Sequence, residues 1–374
     1  MKSNELLQRF TGLAVAFGLL ASISGAPAVA GKPSRSLEPD IVYMSDSGKM
    51  AVWQGAVRGT DIATDGVTGT DLSLQRSLAG RVHTSVTWSP DGQRVAWIEI
   101  GNGMVSTPAS IMVATPGGKP IAVYSSVPGD GKPALTHGFD VLAWGSSCDG
   151  TSSVLAFLSW SPSGIYGLRF VSGVPVGEPE PLTVDDPSLG ASAFAFSPRG
   201  QYLAFEGYTS ATGSGIHVLP MCSTPAAPVR VVPRSSLGSG SVHVTSLDWS
   251  RDGNRLAISM FTGASEWRDI KILELYYSCS NLCSVANDVE QVTGYYADRT
   301  IDLGNLFDAA SSEHSPSWGP ITSGSCQRLA FSRSTDAGRS VYLLDIQTEA
   351  GAPTCGLTAP LLIRSKDPRA LDWR

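Results

Sequence analysis

The sequence predicts an all-β fold, a six-bladed β-propeller of four-stranded antiparallel blades. Three observations predict it. One motif of two apolar runs around a turn recurs along the chain, an aromatic residue closes the first run of each copy, and the two chain ends carry complementary parts of one more copy. The 40 glycines and 24 prolines among the 374 residues favour many short strands joined by turns.

The recurring motif is clearest at 86–99 (VTWSPDGQRVAWIE), 194–207 and 247–260, and more divergent copies occupy 141–158 and 316–332. Each apolar run has the length and composition of a β-strand. The Pro-Asp-Gly type of sequence between the runs predicts a tight hairpin turn. Because two further apolar runs follow in each copy, the repeat predicts the four strands of a propeller blade.

An aromatic residue ends the first strand of every copy, at intervals of 52 to 69 residues. A row of aromatics could stack against a ligand. Large aromatics that recur at one structural position are more typical of packing, so we expect them between neighbouring blades. They are Trp88, Trp144, Phe196, Trp249, Trp318 and Trp373.

The two chain ends complement each other. Residues 370–374 (ALDWR) match a first strand with nothing after it, whereas the apolar runs at 41–45, 51–56 and 72–77 match a blade that lacks its first strand. We therefore expect the C-terminal strand to pair with the N-terminal strands, which would close the ring and remove its free edge.

The N-terminus reads as a signal peptide over residues 1–30. It has a basic start, an apolar stretch at 10–23 and the small-residue cleavage site Ala28-Val29-Ala30. The apolar stretch is short for a membrane span, and no later segment is apolar enough to form one. We expect an exported protein, periplasmic or secreted, that is not an integral membrane protein.

The expected domains after the signal peptide are a short linker at 31–39 and the propeller at 40–374. The predicted blades are 40–78 with 369–374, 83–126, 137–184, 190–233, 243–294 and 313–365.

All six cysteines follow the predicted cleavage site, and an even number in an exported chain favours disulfides. The sequence alone leaves the pairing open. Cys279 and Cys283 are near neighbours and are expected to pair, with Cys326 to Cys355 as a second expectation. A zinc site is the less favoured alternative, because no histidine lies near Cys279 or Cys283.

The repeats resemble the TolB-like propeller family, whose repeat centres on a WSPDG-x-x-L/I-A-F core. The resemblance covers nearly the whole chain after the signal peptide and implies the propeller fold. This sequence differs from TolB in that its repeats begin soon after the predicted cleavage site, without room for a separate N-terminal α/β domain. Because that domain carries one of the partner contacts in the family, a Tol-system role does not follow from the resemblance.

The expected class of function rests on the catalytic motifs that the sequence lacks and on its net charge. It has neither the G-x-S-x-G motif of a hydrolase nor the H-E-x-x-H motif of a zinc enzyme. A net charge of −6 does not favour a nucleic acid as partner. We expect a non-enzymatic module, without a cofactor, that binds or scaffolds a protein or cell-envelope component through the face at the mouth of the central channel.

Four of the five histidines support an alternative function. His83, His137, His243 and His314 all lie four to seven residues before a period-marking tryptophan, so the fold should gather them on one face. Converging imidazoles could bind a divalent metal at the channel mouth, and some TolB-like propellers are polysaccharide lyases that hold a metal with histidines. The alternative is therefore a metal-dependent carbohydrate lyase or hydrolase; the simpler interpretation is four polar residues in exposed loops.

The unit between Trp249 and Trp318 is longer than the others, and its extra residues predict a long loop on the histidine face. Long loops on rigid scaffolds often carry binding, although surface loops also tolerate neutral insertions. The candidate partner-binding residues in this segment are Tyr295, Tyr296, Asp298, Arg299 and Asp302.

Overall fold

The computed structural model describes residues 41–45, 50–55, 69–75, 81–101, 108–116, 118–136, 138, 141–183, 190–222, 227–263, 268–278, 291–303, 311–323, 326–335, 338–347, 361–364 and 368–373. The predicted signal peptide and linker lie outside this part of the chain, as do His137, Cys279, Cys283 and Cys355. Among the described residues there is no helix with the length and apolar character needed to cross a bilayer.

The described strands form six antiparallel sheets. The first three sheets contain the strands of the N-terminal half and the last strand of the chain. Sheet 1 consists of β1 (Ile41–Ser45), β2 (Met50–Gly55), β3 (Gly69–Gln75) and β25 (Pro368–Trp373). Sheet 2 consists of β4 (Arg81–Trp88), β5 (Val95–Gly101), β6 (Ala109–Ala114) and β7 (Ile121–Ser126). Sheet 3 consists of β8 (Ala134–Leu135), β9 (Leu142–Ser146), β10 (Ser152–Ser161), β11 (Ser163–Val171) and β12 (Val174–Pro181).

The remaining sheets follow in chain order. Sheet 4 consists of β13 (Gly190–Phe196), β14 (Tyr202–Thr209), β15 (Gly213–Pro220) and β16 (Val229–Pro233). Sheet 5 consists of β17 (Val242–Trp249), β18 (Arg255–Thr262), β19 (Arg268–Ser278) and β20 (Gln291–Asp302). Sheet 6 consists of β21 (Ser312–Ser323), β22 (Cys326–Thr335), β23 (Gly338–Gln347) and β24 (Leu361–Arg364).

One strand of each sheet, here called its inner strand, contacts the inner strands of two neighbouring sheets. The neighbours form a closed cycle in the order β25, β4, β9, β13, β17, β21 and back to β25. A cavity of about 60 Å³ at the centre is lined by residues from all six of these inner strands. The chain is therefore an all-β propeller, as the repeats predict.

The predicted pairing of the chain ends is confirmed. Strand β25 pairs antiparallel with β1, with Trp373 opposite Ile41 and Ala370 opposite Met44. Strand β1 then pairs with β2, and β2 with β3. The last residues of the chain therefore supply the inner strand of the sheet that the first described residues begin.

The turns inside the repeats use the predicted residues. In the first clear copy, the Gly92 amide bonds to the Ser89 carbonyl at 2.7 Å, and Asp91 Oδ1 accepts from the Gln93 amide at 3.0 Å. Gly200 occupies the equivalent turn with a φ of +67°, and a Cβ there would lie 1.7 Å from the Ser146 carbonyl oxygen. Glycine at that position therefore serves both the turn and the close approach of the neighbouring sheet.

The period-marking aromatics pack in the interior, as expected. Trp88, Trp144, Phe196, Trp249 and Trp318 are all buried. The indole of Trp249 also donates to the Ala195 carbonyl in the preceding sheet at 3.1 Å. These side chains therefore fill the space between adjacent sheets.

Two parts of the fold differ from the prediction. The segment from Tyr295 to Asp302, expected as a loop, belongs to β20, the outermost strand of sheet 5. Its pairing with β19 supplies the backbone hydrogen bonds that a loop would lack. In sheet 3 two separate strands, β8 and β9, both pair with β10 where the other sheets have one inner strand.

A disulfide that the sequence did not predict joins Cys148 to Cys222 and links sheet 3 to the end of β15 in sheet 4. Cys326 is also disulfide-bonded, to a cysteine outside the described residues. The expected pairs Cys279–Cys283 and Cys326–Cys355 stay predictions.

Peptide mapping of the non-reduced protein tests the disulfides. We expect three linkages, Cys148–Cys222, Cys279–Cys283 and Cys326–Cys355, and no free thiol. Linkage of Cys326 to Cys279 or Cys283 would contradict the predicted pairing, because it would leave Cys355 to pair with the other.

Deletion of residues 370–374 tests the closure by β25. The deletion removes the hydrogen-bonded neighbour of β1 and leaves an exposed strand edge. Each lost hydrogen bond costs about 1 kcal/mol, so we expect the free energy of unfolding to fall by several kcal/mol. The free energy of unfolding of a folded protein is typically about 5–15 kcal/mol, so this loss is large. Urea unfolding of the full and shortened proteins measures this, and an unchanged midpoint would show that the two ends do not pair.

Candidate functional site

A large concavity, the mouth cavity, lies where the inner strands β13, β17 and β21 begin. Its volume is about 820 Å³, and its walls come from sheets 3, 4, 5 and 6. Cavities of this size commonly hold small molecules or segments of a partner. Its ionisable lining side chains are Glu206, Arg234, His243, Arg268, His314 and Arg339.

A β-bulge recurs in the inner strands beside this cavity. The register shifts near Ser192 in β13, Thr245 in β17 and Ser315 in β21, and all three residues line the cavity. A bulge bends a strand and re-aims the side chain at that point. The repeat thus places a hydroxyl group from each of three sheets around one opening.

Sheet 5 contributes a row of three side chains. Because His243 pairs with Phe261 and Phe261 with Arg268, the three side chains share one face of adjacent strands. The His243 ring stacks on Phe261 with 5.0 Å between ring centres, and the Arg268 guanidinium lies 5.7 Å from the centre of the same ring. The row forms a partly aromatic, partly cationic wall.

Arg268 continues the row into sheet 6. Its Nη1 donates to His314 Nδ1 at 2.8 Å, and His314 Nε2 lies 3.3 Å from Ser334 Oγ. Ser334 Oγ also accepts from Arg339 Nε at 2.6 Å. Since arginine can only donate, Nδ1 is an acceptor and the imidazole proton resides on Nε2.

His314 therefore stays neutral. Burial lowers its pKa to about 3, and the positive charges of Arg268 and Arg339 contribute to the lowering. Both ring nitrogens are engaged, which leaves no lone pair for a metal ion without breaking the bond to Arg268.

The wall from sheet 4 carries one buried carboxylate. Glu206 accepts from Ser192 Oγ and forms an ion pair with Arg234. Ser192 Oγ also lies 3.0 Å from the Val244 carbonyl in the next sheet. Arg268 and Arg339 are the other two arginines of the lining.

The predicted histidines do not all meet. His243 and His314 line the mouth cavity, whereas His83 is buried with its Nε2 3.3 Å from Glu99 Oε2 and its ring edge-on to Trp97. His137 lies outside the described residues, between cavity-lining Thr136 and Gly138. Within the described part of the chain, no group of three or more His, Cys, Asp or Glu is placed to hold a metal ion.

The predicted partner-binding residues lie on β20, the outermost strand of sheet 5. Tyr295 is half-buried and packs against the hydrophobic core that sheets 4 and 5 share. Asp302 forms an ion pair with Lys271 at 3.6 Å. The predicted role of Tyr296, Asp298 and Arg299 as partner contacts stays a prediction.

Sequence reasoning missed two aspartates of the central channel. Asp248 Oδ2 accepts from the Trp318 amide at 2.8 Å, and Asp372 Oδ2 accepts from the Trp88 amide at 2.6 Å. Each carboxylate thus joins its own inner strand to the inner strand of another sheet. Ser317 Oγ lies between them, 3.3 Å from Asp248 Oδ2 and 3.4 Å from Asp372 Oδ1.

The two carboxyls hold protons more strongly than usual. Burial raises the pKa of Asp248 to about 7, and the charge of Asp372 adds to the rise, while Arg251 opposes it. Burial likewise raises the pKa of Asp372. Burial of the two carboxyls and repulsion between their charges therefore destabilise the folded state at neutral pH.

No family model and no curated protein matches the chain. Solved structures with a similar fold include the following three. A protein from Agrobacterium tumefaciens assigned to TolB is 16% identical over 88% of this chain and 91% of that one, with a TM-score of 0.43. The periplasmic gluconolactonase PpgL of Pseudomonas aeruginosa is 14% identical over 86% of this chain and 82% of that one, with a TM-score of 0.47.

The third is the β-propeller domain of Cps50 (Swd1) from Myceliophteria thermophila, 14% identical over 87% of this chain and 86% of that one, with a TM-score of 0.42. Identities this low concern the fold alone. The propeller assignment follows from the strand pairing of this chain itself.

Replacing Asp372 tests the channel pair. Because the folded Asp248 binds its proton more tightly than the unfolded one, the stability that this carboxyl contributes falls as the pH rises from about 4 to about 7. In Asp372→Asn the amide oxygen can still accept from Trp88, and the amide nitrogen can donate to Ser317. We expect a higher melting temperature than the parent at pH 8 and a flatter profile from about pH 4 to 8.

Asp372→Ala is the matched control. It removes the same charge but leaves the Trp88 amide without its acceptor, which costs about 1–3 kcal/mol. We expect a lower melting temperature than the parent across the range. Equal destabilisation by Asn and Ala at pH 8 would argue that charge repulsion between the aspartates is unimportant.

Proposed function

We propose that the chain is an exported, non-enzymatic propeller of six blades, similar to the TolB-like family, that binds a protein or cell-envelope component through the face carrying the mouth cavity. The observation that carries the proposal is the mouth cavity itself. It is large, open to solvent and lined by polar and apolar side chains from four sheets.

Several features support export. The predicted signal peptide would direct the chain out of the cytoplasm, to the periplasm or the exterior. The disulfide between Cys148 and Cys222 and the bonded state of Cys326 fit an oxidising compartment. The proposed blades are the six sheets, with sheet 1 completed by β25.

The main contact with the partner is then expected in the mouth cavity rather than on β20. The lining residues come from elements that the strand pairing holds in fixed positions, and binding sites on such scaffolds are well defined. Tyr295, Tyr296, Asp298, Arg299 and Asp302 form a proposed second surface on the outermost strand of sheet 5.

The alternative is a metal-dependent carbohydrate lyase or hydrolase at the same cavity. The observation that favours it is the shared position of His243 and His314 in the lining. The bond from Arg268 to His314 Nδ1 weighs against it, because a metal ligand needs that lone pair. Binding without catalysis is therefore the better supported proposal.

A steric block tests the proposed face. Gly190 lines the cavity, and a Cβ at this position meets no atom within 4 Å. Gly190→Trp should therefore fold normally and fill part of the cavity. We expect it to capture much less of the partner from native extract than the parent does, measured by quantitative mass spectrometry after crosslinking.

Ile121→Trp provides the control, because Ile121 is exposed on the outer strand β7 and does not line the cavity. It should capture as much partner as the parent. Equal capture by Gly190→Trp and the parent would exclude this face as the binding surface.

A further inference from the structure

An aromatic residue recurs at one position of the repeat in three consecutive sheets. The strands β10, β14 and β18 each contain a Leu-Ala pair, and the residue four positions after the alanine is Trp160, Tyr208 or Phe261. The same position holds Ile100 in sheet 2 and Ser334 in sheet 6. The three aromatic residues thus belong to sheets 3, 4 and 5, whose inner strands are neighbours.

The three rings lie at the ends of their strands that meet the mouth cavity. Phe261 lines the cavity itself. Trp160 and Tyr208 each follow a lining residue, Leu158 or Glu206, by two positions on the same strand. Because alternate residues of a strand point to the same side, each ring lies on the same side of its strand as that lining residue.

Two of these rings are exposed to an extent that is uncommon for large aromatic side chains. Trp160 is 48% exposed and Tyr208 is 45% exposed. The residue opposite Tyr208 in β13 is Gly190, and a Cβ there would meet no atom within 4 Å, so the space beside the ring is open. An exposed ring at the edge of a cavity can offer its apolar face to a ligand.

Two polar atoms of lining residues have no hydrogen-bond partner among the described residues. They are the hydroxyl of Thr136 and Nε of Arg234. Arg234 bonds to Glu206 through Nη2, so its Nε remains as a donor. Because an unpaired buried polar group destabilises the folded state, a ligand that supplies hydroxyl groups would stabilise this wall.

The charged side chains of the lining already bind other side chains. Glu206 is paired with Arg234, Arg268 donates to His314, and Arg339 donates to a serine of β22. A charged group on a ligand would have to compete with these bonds. The lining therefore fits an uncharged ligand that combines hydroxyls with apolar faces, which is the chemistry of a sugar ring.

We propose that the mouth cavity binds an uncharged oligosaccharide, with sugar rings against Trp160, Tyr208 and Phe261 and sugar hydroxyls bonded to Thr136 and Arg234. Aromatic rings on three successive sheets suit a chain of sugar units, and a volume of about 820 Å³ has room for more than one unit. This inference rests on the proposed function, since it assumes that the cavity is the binding site. It names a glycan as the envelope component that enters it.

Trisaccharides with and without charge test the inference. Maltotriose, cellotriose, mannotriose and chitotriose are uncharged and differ in sugar unit and linkage, and trigalacturonate is an acidic counterpart. Isothermal titration of the full protein should show saturable binding of at least one uncharged trisaccharide, with trigalacturonate about tenfold weaker or more, because its carboxylates must compete with existing bonds. Failure of all the uncharged trisaccharides to bind at millimolar concentrations, or equal binding of trigalacturonate, would overturn the inference.

Ring variants locate the binding. Trp160→Ala and Tyr208→Ala should each weaken binding of that trisaccharide about tenfold, because each removes one stacking face. Trp160→Phe and Tyr208→Phe keep a ring and should retain most of the affinity, and the exposure of both side chains makes loss of the fold unexpected. Tyr276→Ala removes an exposed ring near the opposite end of β19 from cavity-lining Arg268 and should bind as the parent does. Unchanged binding in both ring-removing variants, Trp160→Ala and Tyr208→Ala, would contradict the site.

Failure of this inference and failure of the proposed function are distinguishable. If Gly190→Trp abolishes capture of a protein partner but no uncharged trisaccharide binds, the face binds a protein and the inference is wrong. If trisaccharide binding responds to the ring variants but Gly190→Trp captures partner normally, the glycan site stands and the proposed partner surface is wrong.

Discussion

The antiparallel pairing of β1 with β25 is the constraint on which the rest of the structure depends. It supplies the inner strand of sheet 1, and only with that strand present do six inner strands form a closed cycle. Asp372 lies on β25 and bonds to the Trp88 amide in sheet 2, so the same strand also ties its sheet to the next. Closure thus gives every inner strand two neighbouring inner strands.

Much of the fold could be predicted because each repeat carries its own local signals. The apolar runs, the turn glycines and the aromatic that ends the inner strand all act within a few residues, and the structure bears them out. The segment at Tyr295 was misjudged because Gly294 and Asp298 interrupt its pattern, and the pairing with β19 that makes it a strand comes from elsewhere in the chain. The division of the inner strand of sheet 3 into β8 and β9 has no signal in the repeat.

The candidate site was predictable only in part. The histidine spacing predicted that four histidines share one face, and two of them, His243 and His314, line the mouth cavity. Arg268 and Arg339 were missed because they start the third strands of their sheets, where the repeat shows no constant residue. The channel aspartates had a visible signal, the Asp-Trp pairs at 248–249 and 372–373, but only the packing of neighbouring sheets shows that each carboxylate bonds to another strand.

The closure by β25 also determines the order in which the molecule can be completed. Residues 368–373 follow all other strands of the six sheets along the chain, and they pair with residues more than 300 positions earlier. Sheets 2 to 6 can assemble from local hairpins before β25 is available, whereas β1 must wait for it, and contacts this distant in sequence form slowly. An incompletely synthesised chain therefore exposes β1 as a template for pairing with other chains, so premature termination should yield aggregates rather than a soluble shorter propeller.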